Sequence, residues 1–139
     1  MIRDLILIGY RGYTPTNPWP NRAKIALSFV LNYEEGSESN ILDGDKQSEN
    51  YLTDIPHITA RIGERHLSSE SVFEYGSRAG AWRLLQLFAE FNIPITLFAT
   101  GQALERNPPL AISLKESHHE IAGHGYRWIN YQPHFLQKL

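Results

Sequence analysis

A chain of 139 residues is long enough for one domain with a real hydrophobic core, but it is short for a closed catalytic α/β barrel. Its hydrophobic fraction of 42% is ordinary for a globular protein, and a net charge of -2 without a long basic run argues against nucleic-acid or anionic-membrane partners. The absence of cysteine excludes disulfides, thiolate catalysis and cysteine-type zinc sites.

The N-terminal sequence predicts neither a secretion signal nor a membrane anchor. Its apolar run at residues 5–8 is too short for a signal-peptide core or a membrane span, and no cleavage site follows it. We therefore expect a cytoplasmic protein.

Strand-like segments alternate with helix-like segments along the chain. Residues 1–22 contain several prolines and glycines and are predicted to form an irregular N-terminal arm. Residues 23–31 are almost continuously apolar and predict a buried strand, and two further strands are predicted at residues 95–100 and 120–123. A long polar excursion is predicted at residues 36–70.

Two helices are predicted between these strands. Residues 81–91 are amphipathic: Trp82, Leu85, Phe88 and Ala89 form one face, which Leu84, Leu87 and Phe91 widen. The second helix covers residues 101–117 and is interrupted at Asn107 by the two prolines that follow. The resulting order of strands and helices predicts an α/β fold with about three parallel strands.

Two groups of polar residues follow predicted strands. Asn32, Glu34 and Glu35 follow the first strand, and His124, Arg127 and Trp128 follow the third. Because parallel strands present their carboxyl ends at one rim, we expect both groups to meet there. A carboxylate and an imidazole serve as general base and acid, and an arginine holds a carbonyl or an anion.

Plainer interpretations of these residues remain open. A lone histidine at a strand end is commonly a hydrogen-bonded core residue, and paired glutamates before a glycine commonly begin a solvated loop. Arg78, which lies between Gly76 and Gly80, is either a surface residue at a helix start or a substrate clamp.

The motifs together resemble the polysaccharide deacetylase (NodB-homology) superfamily. They are NYEEG at 32–36, EYGSRAG at 74–80, PITLF at 94–98, ERNP at 105–108 and HGYRW at 124–128. The likeness extends over residues 9–132 and is strongest to the branch of metal-independent allantoinases and proteins labelled chitin deacetylases. It implies a partial (β/α) barrel of the NodB-homology type, with residues 23–139 as the N-terminal part of a truncated barrel domain.

The chain departs from the metal-binding pattern of the superfamily. By this resemblance, metal-dependent members have an aspartate base at the position of Asn32. They have the second histidine of a His-x-x-x-His motif at the position of Trp128. A catalytic metal needs about three protein ligands. We therefore predict no metal and no other cofactor.

The resemblance implies hydrolysis of a non-peptide carbon–nitrogen bond, with opening of the hydantoin ring of allantoin to allantoate. It implies Glu34, Glu35 and His124 as catalytic residues. The predicted substrate-binding residues are Asn32, Arg78, Tyr126, Arg127 and Trp128. The substrate is expected to be a small amide such as allantoin.

Two alternatives remain open at this point. One is a carbohydrate N-deacetylase of the chitin deacetylase type, and the other is a non-catalytic remnant or one half of a split enzyme. Three parallel strands cannot close a barrel and would leave two open edges. Because the rest of the pocket would then be missing, we expect this chain alone to be inactive. A complementary C-terminal half, or homo-oligomerisation of a full-length form, is the expected partnership.

Overall fold

The computed structural model describes residues 9–13, 16, 19–51 and 53–131. Predictions about the apolar run at 5–8 and the tail at 132–139 concern residues outside this described part. The described pieces of the N-terminal arm form turns and one short 3₁₀ turn, Pro20–Arg22.

A three-stranded parallel sheet forms the centre of the fold. Its strands are β1 (Val30–Tyr33), β2 (Thr96–Ala99) and β3 (Glu120–Gly123), in the spatial order β1-β2-β3. The register places Tyr33 beside Ala99 and Ala99 beside Gly123, so all three strands end at the same level. The predicted α/β fold with three parallel strands, a partial barrel, is confirmed.

Helical segments connect the strands. Helix α1 (Leu67–Tyr75) runs through a π-helical turn, Gly76–Gly80, into α2 (Ala81–Glu90). Helices α3 (Gly101–Arg106) and α4 (Pro108–Glu116) follow β2, and they separate at the predicted break. No helix in the described ranges is both long enough and apolar enough to cross a membrane.

Asn107 explains the break between α3 and α4. Its side-chain carbonyl accepts a hydrogen bond from the Leu110 N–H at 3.4 Å and caps α4, while Pro108 occupies the first turn. The amide of the same side chain donates to the Tyr33 hydroxyl at 2.9 Å and thereby ties the helix start to β1.

The core lies between the sheet and the helices. It consists of Tyr33, Ala81, Leu85, Ile95, Leu97, Ala99, Ala103, Leu110 and Leu114. Side chains of β1 and β2 alternate between this core and the opposite face, as successive residues of a strand must.

The prediction of a buried strand over residues 23–31 is wrong at its start. The strand begins only at Val30, and Ile25 and Leu27 are exposed by 68% and 73%. β2 begins at Thr96, which pairs with Val30, so earlier residues have no neighbouring strand within the described ranges. Apolar sequence alone does not make a strand without a partner that completes its hydrogen bonds.

The apolar face predicted for residues 81–91 is also narrower than expected. Leu85 is buried and Phe88 packs partly against the core. Trp82, Leu84, Leu87 and Phe91 are exposed. Of the residues predicted for this face, Leu85 and Phe88 are the two that pack in or against the core.

Candidate active site

The carboxyl ends of the three strands bring the predicted site residues to one rim. Beyond the last strand pairs, the Thr100 N–H donates to the Tyr33 carbonyl at 3.1 Å and the His124 N–H donates to the Ala99 carbonyl at 3.0 Å. These bonds continue the sheet ladder by one step. Glu34, which follows β1, and His124, which follows β3, therefore lie at the same level of the sheet.

Glu34 and His124 are in direct contact at this rim. The Nε2 atom of His124 lies 2.6 Å from Oε1 of Glu34, with the glutamate side chain 15% exposed and the histidine 41% exposed. The ring of Phe98 packs edge-on against the imidazole with 5.8 Å between centroids. The Asn32 amide donates to the same Oε1 of Glu34 at 3.4 Å.

Burial raises the pKa of Glu34 above its ordinary value. The negative charge of the neighbouring Glu35 raises this pKa further, while the contact with His124 lowers it. A glutamate with a raised pKa is a stronger base once ionised than an ordinary surface glutamate. Glu34 is therefore suited to accept a proton.

Glu35 lies between two adjacent cavities. Its Oε2 accepts a hydrogen bond from the Glu34 N–H at 3.2 Å, and its side chain packs against Gly76. A cavity of about 180 Å³ lies on one side and is shared with Glu34 and Trp128. A second cavity, of about 540 Å³, lies on the other side and is lined in part by Arg78.

The smaller cavity, which we call the rim pocket, is lined by residues from four segments of the chain. They are Glu34, Glu35, Thr53, Asp54, Val72, Phe73 and Trp128. The Trp128 ring contacts Phe73 edge-on with 6.0 Å between centroids and closes one side. Sequence reasoning missed Thr53, Asp54, Val72 and Phe73. The unusual length of the excursion was the sequence feature that pointed to Thr53 and Asp54. No sequence feature pointed to Val72 and Phe73.

The other predicted residues, Arg78, Tyr126 and Arg127, do not line the rim pocket. Arg78 is 75% exposed and its Nε donates to Glu74 at 3.0 Å. The Tyr126 hydroxyl donates to Glu105 of α3 at 2.9 Å, so this side chain lies over α3. The Arg127 guanidinium binds Asp45. The structure thus brings Glu34, Glu35, His124, Asn32 and Trp128 together, and the proposed roles of Arg78, Tyr126 and Arg127 stay predictions.

The fold and the site define an α/β protein with an acidic and an imidazole side chain in contact at the carboxyl rim of a parallel sheet. The sequence profile of the family described as polysaccharide deacetylase matches residues 68–137, which is half of the chain. The chain belongs to the polysaccharide deacetylase family. The resemblance drawn from the motifs is thereby confirmed.

Individual relatives agree with the family match. A curated Schizosaccharomyces pombe protein named as a polysaccharide deacetylase is 48% identical over 120 residues, which cover 84% of this chain and 37% of that protein. The crystal structure of PuuE allantoinase has a TM-score of 0.87 and 48% identity, covering 99% of this chain and 48% of its own. A Pseudomonas aeruginosa PAO1 structure named as a polysaccharide deacetylase has a TM-score of 0.85 and 53% identity, covering 94% and 43%.

The chain therefore spans less than half the length of these relatives, from 37% to 48%. The sheet accordingly corresponds to one part of the larger structures it matches.

The donor atoms at the rim do not fit the metal centre of the metal-dependent family pattern. Glu34 and His124 supply two donors, a neutral amide stands at Asn32 in place of the aspartate of that pattern, and the indole of Trp128 offers no lone pair to a metal. In the part of the chain that the structure describes, no group of three or more His, Cys, Asp or Glu side chains is placed to hold a metal ion.

Proposed function

We propose that this chain supplies the acid–base pair of a hydrolase that opens a cyclic amide, with allantoin as substrate and allantoate as product. The observation that carries the proposal is the 2.6 Å contact between His124 and a glutamate whose pKa is raised by burial. The 48% identity to PuuE allantoinase supports the choice of substrate, and a rim pocket of about 180 Å³ suits a small molecule.

The proposed reaction uses the pair in its ionised form, with the Glu34 carboxylate beside a protonated His124. Glu34 removes a proton from water as the water oxygen bonds to the amide carbon. The carbon–nitrogen bond then breaks, and His124 gives its proton to the departing ring nitrogen. The proton on Glu34 returns to His124 across the 2.6 Å contact, so that both groups are restored.

Glu35 and Trp128 have supporting roles in this proposal. Burial raises the pKa of Glu34, and the charge of Glu35 adds to that rise. Trp128 fills the position that a second metal-binding histidine occupies in the metal-dependent pattern, and it forms a wall of the rim pocket. Asn32 fixes the Glu34 carboxylate through its amide.

A carbohydrate N-deacetylase is the second candidate. The 53% identity to the Pseudomonas aeruginosa structure, which is named as a polysaccharide deacetylase, favours it. The same pair of side chains would then act on an N-acetyl group, releasing acetate.

The completed enzyme is proposed to need a further part of the barrel. The matched part makes up 48% and 43% of the two solved relatives, so more than half of each lies outside it. We propose that the further part comes either from a complementary C-terminal half or from a full-length form, which would assemble as a homo-oligomer.

A chimera tests the proposal. In it, this chain replaces the matched 43% of the Pseudomonas aeruginosa protein. We expect the chimera to consume allantoin at a rate that a chelator does not change, without release of acetate from N-acetylglucosamine oligomers. Acetate release from these oligomers without consumption of allantoin would support the deacetylase instead.

The variant Glu34→Gln of the chimera tests whether its activity depends on a residue of this chain. We expect it to lower kcat at least about 100-fold, within the range for loss of a general base. The matched control is Glu64→Gln, since Glu64 is 62% exposed and pairs with the surface residue Arg61. Normal turnover by Glu34→Gln would contradict the proposed base.

A further inference from the structure

Three segments at the carboxyl rim converge on Arg127. They are the loop after β1 (residues 34–45), the start of α3 (residues 100–102) and the turn after β3 (residues 124–131). Arg127 belongs to the last of these, and its side chain is 18% exposed. Its contacts link all three segments.

Every nitrogen of the Arg127 guanidinium is engaged within the protein. Nε donates to the Gln102 side-chain carbonyl at 3.0 Å. Nη1 and Nη2 donate to the two carboxylate oxygens of Asp45 at 3.0 and 2.6 Å, and Nη2 also donates to the Glu38 backbone carbonyl at 3.0 Å. A two-pronged arginine–carboxylate pair of this kind fixes direction as well as distance.

Backbone contacts join the same segments around this cluster. The Gly101 and Gln102 N–H groups, at the start of α3, donate to the carbonyls of Gly125 and Tyr126 at 3.0 and 2.9 Å. The Trp128 N–H donates to the Ser37 carbonyl at 2.9 Å. The turn that begins at His124 is therefore held against α3 on one side and against the loop after Glu34 on the other.

A second arginine holds the outer part of the same loop. Arg106 of α3 pairs with Asp43, which also lies 3.8 Å from Nη2 of Arg127. The charges of Asp43 and Asp45 are thus matched by two arginines from different elements. The loop itself has no regular structure beyond the 3₁₀ turn Ile41–Asp43, so these contacts fix its path.

We propose that Arg127 is a positioning residue, not a substrate ligand: by binding Asp45 it locks the loop after Glu34 to the turn after His124 and so sets the two side chains at reacting distance. This inference rests on the proposed function of Glu34 and His124. Four of its five N–H groups are already engaged within the protein, so the guanidinium has no paired donors left for a substrate carbonyl or anion. A lysine at this position keeps the charge but cannot reach Asp45, Gln102 and Glu38 together.

The test measures the folded 139-residue chain by NMR, without any substrate. In Arg127→Lys and in Asp45→Asn, we expect amide exchange of Trp128 to be at least tenfold faster than in the unaltered chain. The double variant should be no faster than the faster single one, because both changes open the same contact. The imidazole N–H signal of His124, assigned by its loss in His124→Asn, should broaden or vanish in both single variants. The matched control is Arg61→Lys, because the Arg61 side chain is 79% exposed and pairs with Glu64.

Three results would overturn the inference. One is Trp128 exchange within twofold of the unaltered chain in both folded single variants. Another is a double variant whose rate is the product of the two single effects. The third is loss of the native spectrum in both variants, which would show that the cluster holds the whole fold and not the site. Asp45→Asn keeps the size of the side chain and one acceptor oxygen. If Arg127→Lys alone fails to fold, the exchange rate of Trp128 in Asp45→Asn therefore tests the inference.

Kinetics of the chimera separate this inference from the proposed function. A positioning role predicts that Arg127→Lys lowers kcat at least tenfold with KM within threefold, whereas a substrate ligand would raise KM. If the unaltered chimera hydrolyses neither substrate, the proposed function fails, while the NMR measurement still decides the role of Arg127.

Discussion

Glu34 directly follows the last residue of β1. Its side chain is largely shielded from solvent, and one of its carboxylate oxygens contacts His124. This environment follows from the backbone: the strand ends one residue earlier, and the parallel register brings the end of β3 to the same level. The sequence predicts this meeting, because apolar strands and the polar residues after them are both visible in it. The 2.6 Å separation and the shared Asn32 contact depend on side-chain packing, which the sequence does not show.

The raised pKa of Glu34 predicts the pH dependence of hydrolysis. A general base must be ionised, so kcat/KM of the chimera should fall as the pH drops through the pKa of Glu34, at a higher pH than for an ordinary glutamate. The charge of Glu35 contributes to this shift. Glu35→Gln should therefore move the acid limb of the profile to lower pH, and Glu64→Gln should leave it in place. An acid limb that stays fixed in Glu35→Gln would contradict this electrostatic account.

The continuous helical segment from α1 to α2 contains two glycines with similar backbone angles but different surroundings. Gly76 and Gly80 both have right-handed helical conformations. A Cβ atom on Gly76 would lie 2.5 Å from Oε1 of Glu35, whereas one on Gly80 would meet nothing closer than 3.7 Å. The sequence places both glycines around Arg78, but only the fold distinguishes the one that packs on the site.

Alanine substitutions at the two glycines test this difference. Gly80→Ala should stabilise the chain by about 0.5–1 kcal/mol, because alanine loses less backbone entropy in a helix. Gly76→Ala should lose that gain, since the Glu35 carboxylate must move away from the Glu34 N–H. Thermal or denaturant unfolding measures both effects, and equal stabilisation by the two variants would show that Glu35 is not held against Gly76.

Elements with strong periodicity could be predicted from the sequence, and elements defined by neighbours could not. The break at Asn107 was visible because two prolines follow a capping residue. The start of β1 was not, because it depends on where β2 begins to pair. The path of residues 36–45 also escaped prediction, since arginines from α3 and from the turn after β3 fix it.

At the scale of the whole molecule, apolar side chains remain uncovered beside β1. Ile25, Leu27, Phe29 and Val30 are exposed by 68%, 73%, 41% and 51%. Phe29 packs on Phe88 of α2, so this surface continues onto the helix. Exposed apolar surface next to an open strand edge favours association.

We expect the isolated chain to self-associate as its concentration rises. Leu27→Lys should shift the population toward monomer, because a charge opposes burial of this surface. Arg61→Lys, on an exposed and already charged position, is the control. Light scattering coupled to gel filtration measures the mass, and a chain that stays monomeric at all concentrations would contradict the expectation.

The central claim is that Glu34 and His124 act as one acid–base pair. The most direct test is kcat/KM of the chimera for Glu34→Gln, His124→Asn and the double variant. If the two residues exchange one proton, each single change should lower kcat/KM at least about 100-fold, and the double change should lower it by little more than the larger single effect. Single variants that keep kcat/KM within tenfold of the unaltered chimera, or effects that multiply fully in the double variant, would contradict the pair.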